Sequence, residues 1–134
     1  MAEKQARILI VGGGFGGVFT ALDLAGAGQV TLVSPEDHFL FTPMLYEYLS
    51  GEVEAWHIAP QYKELLDDNV QLIRGQVSDI DLNAREATIE GRKQPVAYDV
   101  LVLAPGGITN YWNIEGAEEF AFPFRKIAHA DALR

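Results

Sequence analysis

The sequence predicts a fold of the α/β class, with a central parallel sheet and an antiparallel β-meander. A strand-like run, a helical pattern and a second strand-like run follow one another between Arg7 and Val33, the order of a right-handed βαβ unit. Three short segments separated by turn signals lie between Val77 and Tyr98, too closely spaced to hold helices. A last apolar run, Val100–Ala104, ends at Pro-Gly-Gly, as a further strand would.

The βαβ unit is predicted from three patterns. Arg7–Val11 (RILIV) is almost continuously apolar, which is typical of a strand buried on both faces of a parallel sheet. The segment Phe15–Ala27 has apolar residues at helical spacing: Val18, Ala21, Leu22 and Ala25. Gly26 and Gly28 bracket its end, where a glycine cap is expected. Gln29–Val33 (QVTLV) is rich in β-branched residues and predicts the second strand.

The elements that follow are shorter. Residues 34–59 are irregular, and Pro60–Leu66 and Val70–Arg74 predict a short helix and a third parallel strand. The meander comprises three segments: Val77–Leu82, Glu86–Glu90 and Pro95–Tyr98. After the last strand, Lys126–Arg134 has a helical pattern. We therefore expect one domain over residues 5–110, and the start of a linker and helix over residues 111–134.

The composition excludes several classes of function. The 134 residues carry a net charge of −9, so the chain lacks a basic face and we expect no nucleic-acid partner. The absence of cysteine excludes disulfides, thiolate metal sites and a thiol nucleophile. The three histidines show no ligand spacing, and no acid–base pair stands out, so neither a metal site nor a catalytic residue is predicted. We also expect no membrane span and no signal peptide.

A glycine-rich turn joins the first strand to the first helix. Gly12, Gly14 and Gly17 satisfy G-x-G-x-x-G between these two elements, which is the context that a Rossmann-like dinucleotide site requires. Gly12 would permit the tight turn, Gly14 would let the backbone approach a pyrophosphate, and Gly17 would let the helix pack closely on the strand. The amide groups of the helix N-terminus would then hold the anion, although the protein is acidic.

An acidic residue usually binds the ribose at the end of the second strand of such a unit. Here Ser34, Pro35, Glu36 and Asp37 occupy that place. Ser34 can form a hydrogen bond with a ribose hydroxyl, and Glu36 is the alternative, although both acids also suit a solvated turn. No lysine or arginine lies near in sequence, which disfavours a 2′-phosphate and therefore NADP at this turn.

Two longer segments carry a resemblance to a known family. YDVLVLAPGG, Tyr98–Gly107, resembles the YDxLVxATG segment of flavoproteins that bind two dinucleotides, in the pyridine nucleotide-disulfide oxidoreductase superfamily. DHFLFTPMLYEYLSGEVEAWHIAP, Asp37–Pro60, resembles the FLFTPLLYE…GE…IAP region of type II NADH dehydrogenases, the single-subunit NADH:quinone oxidoreductases. The resemblance covers Arg7–Arg134 and implies a Rossmann-like, FAD-binding fold that is incomplete at its C-terminus.

The resemblance implies positions around FAD for several residues. The glycine turn would face the pyrophosphate through the following residues: Gly12, Gly13, Gly14, Phe15, Gly16 and Gly17. Ser34 and Pro35, with Glu36, would lie by the adenosine ribose.

The same resemblance assigns residues to the rest of the cofactor. Thr42 and Pro43 would approach the flavin, Val77 would contact the adenine through its backbone, and Ala104 and Gly106 would lie beside the middle of FAD. Two residues depart from the pattern of the family. Ser34 replaces the commoner acid, and Pro105 replaces the threonine of A-T-G, which removes an N–H and a hydroxyl. The nearby aromatic residues suit either core packing or flavin contacts: Phe39, Phe41, Tyr46 and Tyr48.

The activity implied is hydride transfer from NADH to FAD, followed by transfer of two electrons to a quinone. In the family, the NADH site and the amphipathic helices for quinone and membrane lie beyond the matched region. We therefore expect a soluble fragment without turnover of its own. The parent, meaning the longer protein of which this fragment would be a part, would be a peripheral membrane protein on the cytoplasmic or organellar-matrix side. FAD is the expected partner of this chain, NADH and quinone are partners of the parent, and a second copy is a further candidate.

Three alternatives remain at this stage. A disulfide reductase is excluded by the absence of cysteine, whereas a sulfide:quinone reductase is only weakened by it. A dinucleotide-binding module without catalysis stays open. An NAD-dependent hydroxy-acid dehydrogenase is disfavoured, because a β-meander is not its usual crossover.

Overall fold

A computed structural model describes residues 5–134 and confirms the predicted βαβ unit. Strand β1 spans Arg7–Val11, helix α1 spans Phe15–Leu24 and strand β2 spans Gln29–Ser34. The two strands are parallel, and Arg7 is paired with Gln29. Gly26, in the turn after α1, has a φ of +84°, in the left-handed region where a glycine is preferred.

The irregular segment after β2 contains short helical elements. A 3-10 turn at Thr42–Met44 leads into three helices: α2, Leu45–Ser50; α3, Ala55–Ile58; and α4, Tyr62–Leu65. Strand β3 then spans Val70–Arg74, as predicted. The sequence predicted α4 but not α2 and α3, which have too few turns to show an apolar period.

The second half of the chain contains the meander, the last strand and two helices. These elements are β4, Val77–Asp81; β5, Glu86–Ile89; β6, Val96–Ala97; β7, Val100–Leu103; α5, Ala117–Phe120; and α6, Ile127–Leu133. The first sheet is parallel in the order β3-β2-β1-β7, and the second is antiparallel in the order β4-β5-β6. Both the α/β class and the Rossmann-type architecture are thereby confirmed.

Packing divides the chain into two compact units. The sheet unit comprises the chain up to Phe39 together with Gln61–Gly106, and the helical unit comprises Leu40–Pro60 and Gly107–Arg134. The helical unit has its own small core: Leu45, Tyr48, Ile58 and Ala130. Within it, the Tyr48 hydroxyl donates a hydrogen bond to Asp131 at 2.6 Å.

The core of the sheet unit lies on both faces of the parallel sheet. Ile8 and Ile10 of β1 pack with α1 and α4 on one face, whereas Leu9 packs with the meander on the other. Burial on both faces explains why β1 is a nearly continuous apolar run. A bidentate ion pair between Arg7 and Asp99, with a shortest distance of 2.8 Å, joins the start of β1 to the residue before β7.

Candidate functional site

The glycine turn lies at the carboxyl edge of the parallel sheet, between the ends of β2 and β7. The Gly12 amide donates to the Val33 carbonyl at 2.9 Å, and the Ala104 amide donates to the Val11 carbonyl at 2.8 Å. In open α/β sheets, ligands bind outside this edge. The fold therefore presents the turn at the place where a nucleotide is expected.

At two positions of the turn, backbone atoms leave no room for a side chain. Gly12 has a φ of +108°, and a Cβ added there would lie 2.0 Å from the Ala104 carbonyl oxygen. A Cβ added at Gly17 would lie 1.7 Å from the Gly12 carbonyl oxygen. Both distances are far below any non-bonded contact, so these glycines serve the tight turn and the close packing of α1.

Gly14 differs from them because a Cβ added there would meet no heavy atom within 4 Å. Its backbone has a φ of −82°, and it caps α1 by accepting a hydrogen bond from the Val18 amide at 2.9 Å. No side chain caps this helix, and no acidic residue lies in its first turn. The first amide groups of a helix have no partner within it, so an open, uncapped N-terminus suits an anion.

Tyr62, which the sequence analysis did not single out, lies against the floor of the turn. Its hydroxyl donates to the Gly13 carbonyl oxygen at 2.8 Å and lies 3.1 Å from the Ser34 Oγ. Because the single hydroxyl proton of Tyr62 goes to Gly13, Ser34 supplies the proton of the second hydrogen bond. The Glu36 amide in turn donates to the Ser34 Oγ at 3.3 Å. The Ser34 hydroxyl proton is thus directed to Tyr62, and only an oxygen lone pair remains for a ribose hydroxyl.

The protonation state of Tyr62 supports this arrangement. Burial raises the pKa of the Tyr62 hydroxyl, the hydrogen bond from Ser34 lowers it, and the nearby carboxylates of Glu36 and Asp37 raise it further. The net direction is upward from the ordinary tyrosine pKa. Tyr62 is therefore a proton donor at neutral pH.

A pocket of about 220 Å³ lies outside the ends of β2 and β3. Its polar lining includes Ser34, Glu36, Tyr62, Lys63 and Arg74. Two cationic side chains are thus present, which corrects the sequence argument that no lysine or arginine lies near the ribose position. The reason is the parallel pairing of β2 with β3, which places Arg74 beside Ser34 in register. The argument against binding of a 2′-phosphate, and therefore of NADP, then depends only on the negative charges of Glu36 and Asp37.

Asp37 shows how the acids and cations of this edge are paired. Its carboxylate lies 2.9 Å from the His38 Nδ1 and 3.5 Å from the Arg74 Nη1. The hydrogen bond with His38 lowers the pKa of Asp37, burial raises it, and the charge of Arg74 lowers it again, with a net downward shift. Asp37 thus remains ionised and engaged with its neighbours.

The remaining predicted residues of the sheet unit lie at or near the carboxyl edge. Ala104 is half-buried, and a Cβ added at Gly16 would lie 3.3 Å from the Ala104 Cβ. Gly106 is exposed, with a φ of +74°. Val77 is half-buried at the start of β4, and Pro35 is exposed after β2. Phe15 is partly exposed.

In the helical unit, Thr42 and Pro43 are exposed and begin the 3-10 turn. The four aromatic candidates divide into two groups. Phe39, in the sheet unit, and Tyr48, in the helical unit, are buried core residues. Phe41 and Tyr46, both of the helical unit, are exposed.

Within residues 5–134, the part of the chain that the structure describes, no group of three or more histidine, aspartate or glutamate residues is placed to hold a metal ion. None of the helices in the same part is long and apolar enough to cross a membrane.

Comparison with known proteins decides the family. The sequence model of the pyridine nucleotide-disulphide oxidoreductases matches residues 6–134, which is almost the whole chain. The chain belongs to this family. Within it, the chain is 38% identical to an alternative NAD(P)H-ubiquinone oxidoreductase of Arabidopsis thaliana, over 98% of the chain and 29% of that protein.

Other members of the pyridine nucleotide-disulphide oxidoreductase family agree with this assignment. The chain is 34% identical to a demethylphylloquinone reductase of Synechocystis, over 100% of the chain and 36% of that protein. It is 33% identical to a type II NADH:quinone oxidoreductase of Mycobacterium tuberculosis, over 98% of the chain and 29% of that protein. The predicted resemblance to type II NADH dehydrogenases is confirmed. The chain spans about three-tenths of the length of these relatives.

Solved structures of the family have the same fold. NDH2 of Plasmodium falciparum, solved in complex with NADH, superposes with a TM-score of 0.86 at 27% identity, over 97% of this chain and 28% of that one. The sulfide:quinone oxidoreductase of Aquifex aeolicus has a TM-score of 0.78 at 26% identity, over 93% of this chain and 30% of that one.

Proposed function

We propose that this chain binds FAD and forms the nucleotide-binding part of a flavin-dependent NADH:quinone oxidoreductase. The observation that carries the proposal is the contrast within the glycine turn. Backbone atoms fill the space beside Gly12 and Gly17, whereas the space beside Gly14 is open at the N-terminus of α1. A diphosphate fits such a cradle, because it needs close backbone approach and amide donors.

The proposed contacts follow the edge of the sheet. The glycine turn, including Gly13, Phe15 and Gly16, holds the diphosphate through its backbone. Ser34, Pro35 and Glu36 border the adenosine ribose, and the backbone of Val77 lies by the adenine. Ala104 and Gly106 lie beside the middle of the cofactor. Thr42 and Pro43, which belong to the helical unit, are assigned to the flavin by the family resemblance alone. When bound, FAD supplies hydride and electron transfer, and the residues of this chain supply its position.

The acceptor and donor of the whole protein are inferred from its relatives. Their names record NAD(P)H or NADH as donor in most cases, and ubiquinone, demethylphylloquinone or quinone as acceptor. We propose the same class of reaction for the protein to which this chain contributes its FAD site. The sulfide:quinone alternative is less favoured, because this chain contains no cysteine and the names of its relatives given above record quinone reduction without sulfide.

The test is a titration of the purified protein with FAD, followed by flavin fluorescence, with Gly14→Ala as the variant. We expect saturable binding by the wild type, and binding weaker by about tenfold or more in Gly14→Ala, because the added methyl lies in the diphosphate space. The unfolding temperature without FAD is the internal control. It should be retained, because the new Cβ meets no protein atom within 4 Å and the φ of −82° is allowed for alanine.

The same titration separates the alternatives. Absence of FAD binding by the folded wild type would contradict the proposal. Tighter binding of NAD than of FAD would favour the dinucleotide-binding module without catalysis.

A further inference from the structure

The hydrogen bonds beneath the glycine turn form a directed chain. The Glu36 amide donates to the Ser34 Oγ, the Ser34 hydroxyl donates to the Tyr62 Oη, and the Tyr62 hydroxyl donates to the Gly13 carbonyl. Ser34 and Tyr62 are 5% and 4% exposed, so water competes little for these hydrogen bonds. The chain ends on a backbone atom of the turn itself.

The Gly13 carbonyl belongs to the same peptide plane as the Gly14 amide. No described peptide bond is cis, and in a trans peptide the C=O and N–H bonds point in opposite directions. A carbonyl directed at Tyr62 therefore directs the Gly14 N–H away from the protein floor. Within residues 5–134 that amide has no hydrogen-bond acceptor.

Two glycines in succession would otherwise leave this peptide free to rotate, because glycine populates most of the backbone map. The position of the Tyr62 hydroxyl in turn depends on Gly13 having no side chain. A Cβ at position 13 would lie 1.9 Å from the Tyr62 Oη and 2.8 Å from the Ser34 Oγ. The absence of a side chain at residue 13 thus makes room for the hydroxyl that orients the peptide.

We propose that Tyr62 is a positioning residue for the diphosphate site: through the Gly13 carbonyl it holds the Gly14 amide in the orientation that donates to a phosphate oxygen. This inference rests on the proposed FAD site and adds to it a side chain that does not touch the cofactor. The glycine turn alone supplies the donors, and Tyr62 reduces the conformational freedom that binding would otherwise have to remove.

The experiment compares Tyr62→Phe with Tyr98→Phe in the purified protein. Tyr98 is the matched control, because it lies in the same unit, is also 4% exposed, and directs its hydroxyl at a backbone carbonyl, that of Asp81, away from the turn. We expect Tyr62→Phe to bind FAD about five- to tenfold more weakly, because binding must then order the Gly13–Gly14 peptide that Tyr62 holds in the wild type. Tyr98→Phe should bind FAD like the wild type.

A spectroscopic measurement distinguishes positioning from general stability. In amide NMR spectra at saturating FAD, the Gly14 N–H signal should move strongly on binding in the wild type and in Tyr98→Phe, and clearly less in Tyr62→Phe. The unfolding temperatures of the two variants without FAD show whether both are folded. A further measurement needs no variant: the Tyr62 hydroxyl proton of the wild type should be protected from exchange with solvent.

The results distinguish a failure of the proposed FAD site from a failure of the proposed role of Tyr62. If the wild type does not bind FAD, the proposed function fails. If the wild type binds FAD and Tyr62→Phe binds it equally well with the same Gly14 shift, the role of Tyr62 is refuted and the FAD site stands. An unprotected Tyr62 hydroxyl proton, or an equal loss of affinity in Tyr98→Phe, would also refute the role of Tyr62.

Discussion

At the level of single residues, the three glycines of the G-x-G-x-x-G motif differ in their backbone conformation and in the atoms that surround them. Gly12 needs a positive φ, Gly17 needs space for a carbonyl, and a Cβ at Gly14 would meet only open space. The motif predicted the tight turn at Gly12 and the close packing at Gly17, because both depend on local contacts, and the role of Gly14 stays a prediction. Tyr62 was not predictable, because it lies 28 residues from Ser34 and 49 residues from Gly13 in the sequence, and only the fold brings them together.

The raised pKa of Tyr62 predicts a loss of stability at alkaline pH. A group that is harder to ionise in the folded state contributes stability that is complete below its unfolded pKa, about 10 for tyrosine, and is lost as the pH rises through the folded value. We expect the free energy of unfolding to fall above this pH, and to fall less steeply in Tyr62→Phe. Denaturant unfolding at a series of alkaline pH values measures the free energy of unfolding of both proteins. If the free energy of unfolding depends on pH identically in the wild type and in Tyr62→Phe, the raised pKa of Tyr62 is contradicted.

At the level of elements, the strands were predicted better than the short helices. Strands β1 and β3 were predicted to the residue. The apolar run of β1 reflects burial on both faces, whereas β3 was recognised by its short apolar pattern although three of its five residues are exposed. Helices α2 and α3 were not predicted. Their ends are set by local details, such as the left-handed Gly51 after α2 and the Glu54 amide that donates to the His57 side chain at the start of α3. Such details leave no periodic pattern in the sequence.

The burial of β1 on both faces predicts a large effect at its centre. Leu9 is 1% exposed and packs with the meander, so Leu9→Ala should lower the free energy of unfolding by about 3 kcal/mol. Leu82→Ala is the matched control, because Leu82 is 71% exposed, and its effect should lie within about 0.5 kcal/mol of zero. Urea unfolding of both variants gives the two values. Equal effects would show that the meander does not cover this face.

At the level of the whole molecule, the chain combines a net charge of −9 with the proposed site for an anionic cofactor. The sequence predicted that backbone groups must hold the anion, and the open N-terminus of α1 is consistent with that prediction. The sequence did not predict that residues 40–60 pack with residues 107–134 as one unit, because the two segments are distant in the chain. The sequence also did not predict that Arg74 and Lys63 line the same pocket as Ser34, because these residues too are distant from Ser34 in the chain.

The net charge predicts the salt dependence of binding. An acidic protein repels a diphosphate at long range, and salt screens this repulsion over roughly 10 Å at 0.1 M. We expect the association rate of FAD to rise modestly when salt is added, as measured by stopped-flow fluorescence. A rate that falls with salt would show that Arg74 and Lys63 attract the cofactor more strongly than the net charge repels it.

The most direct test of the central claim is a crystal structure of this protein with FAD. We predict diphosphate oxygens about 2.7–3.2 Å from amide nitrogens of residues 14–17, on the open side of Gly14. A diphosphate bound elsewhere, or a glycine turn that stays empty beside a bound flavin, would contradict the account.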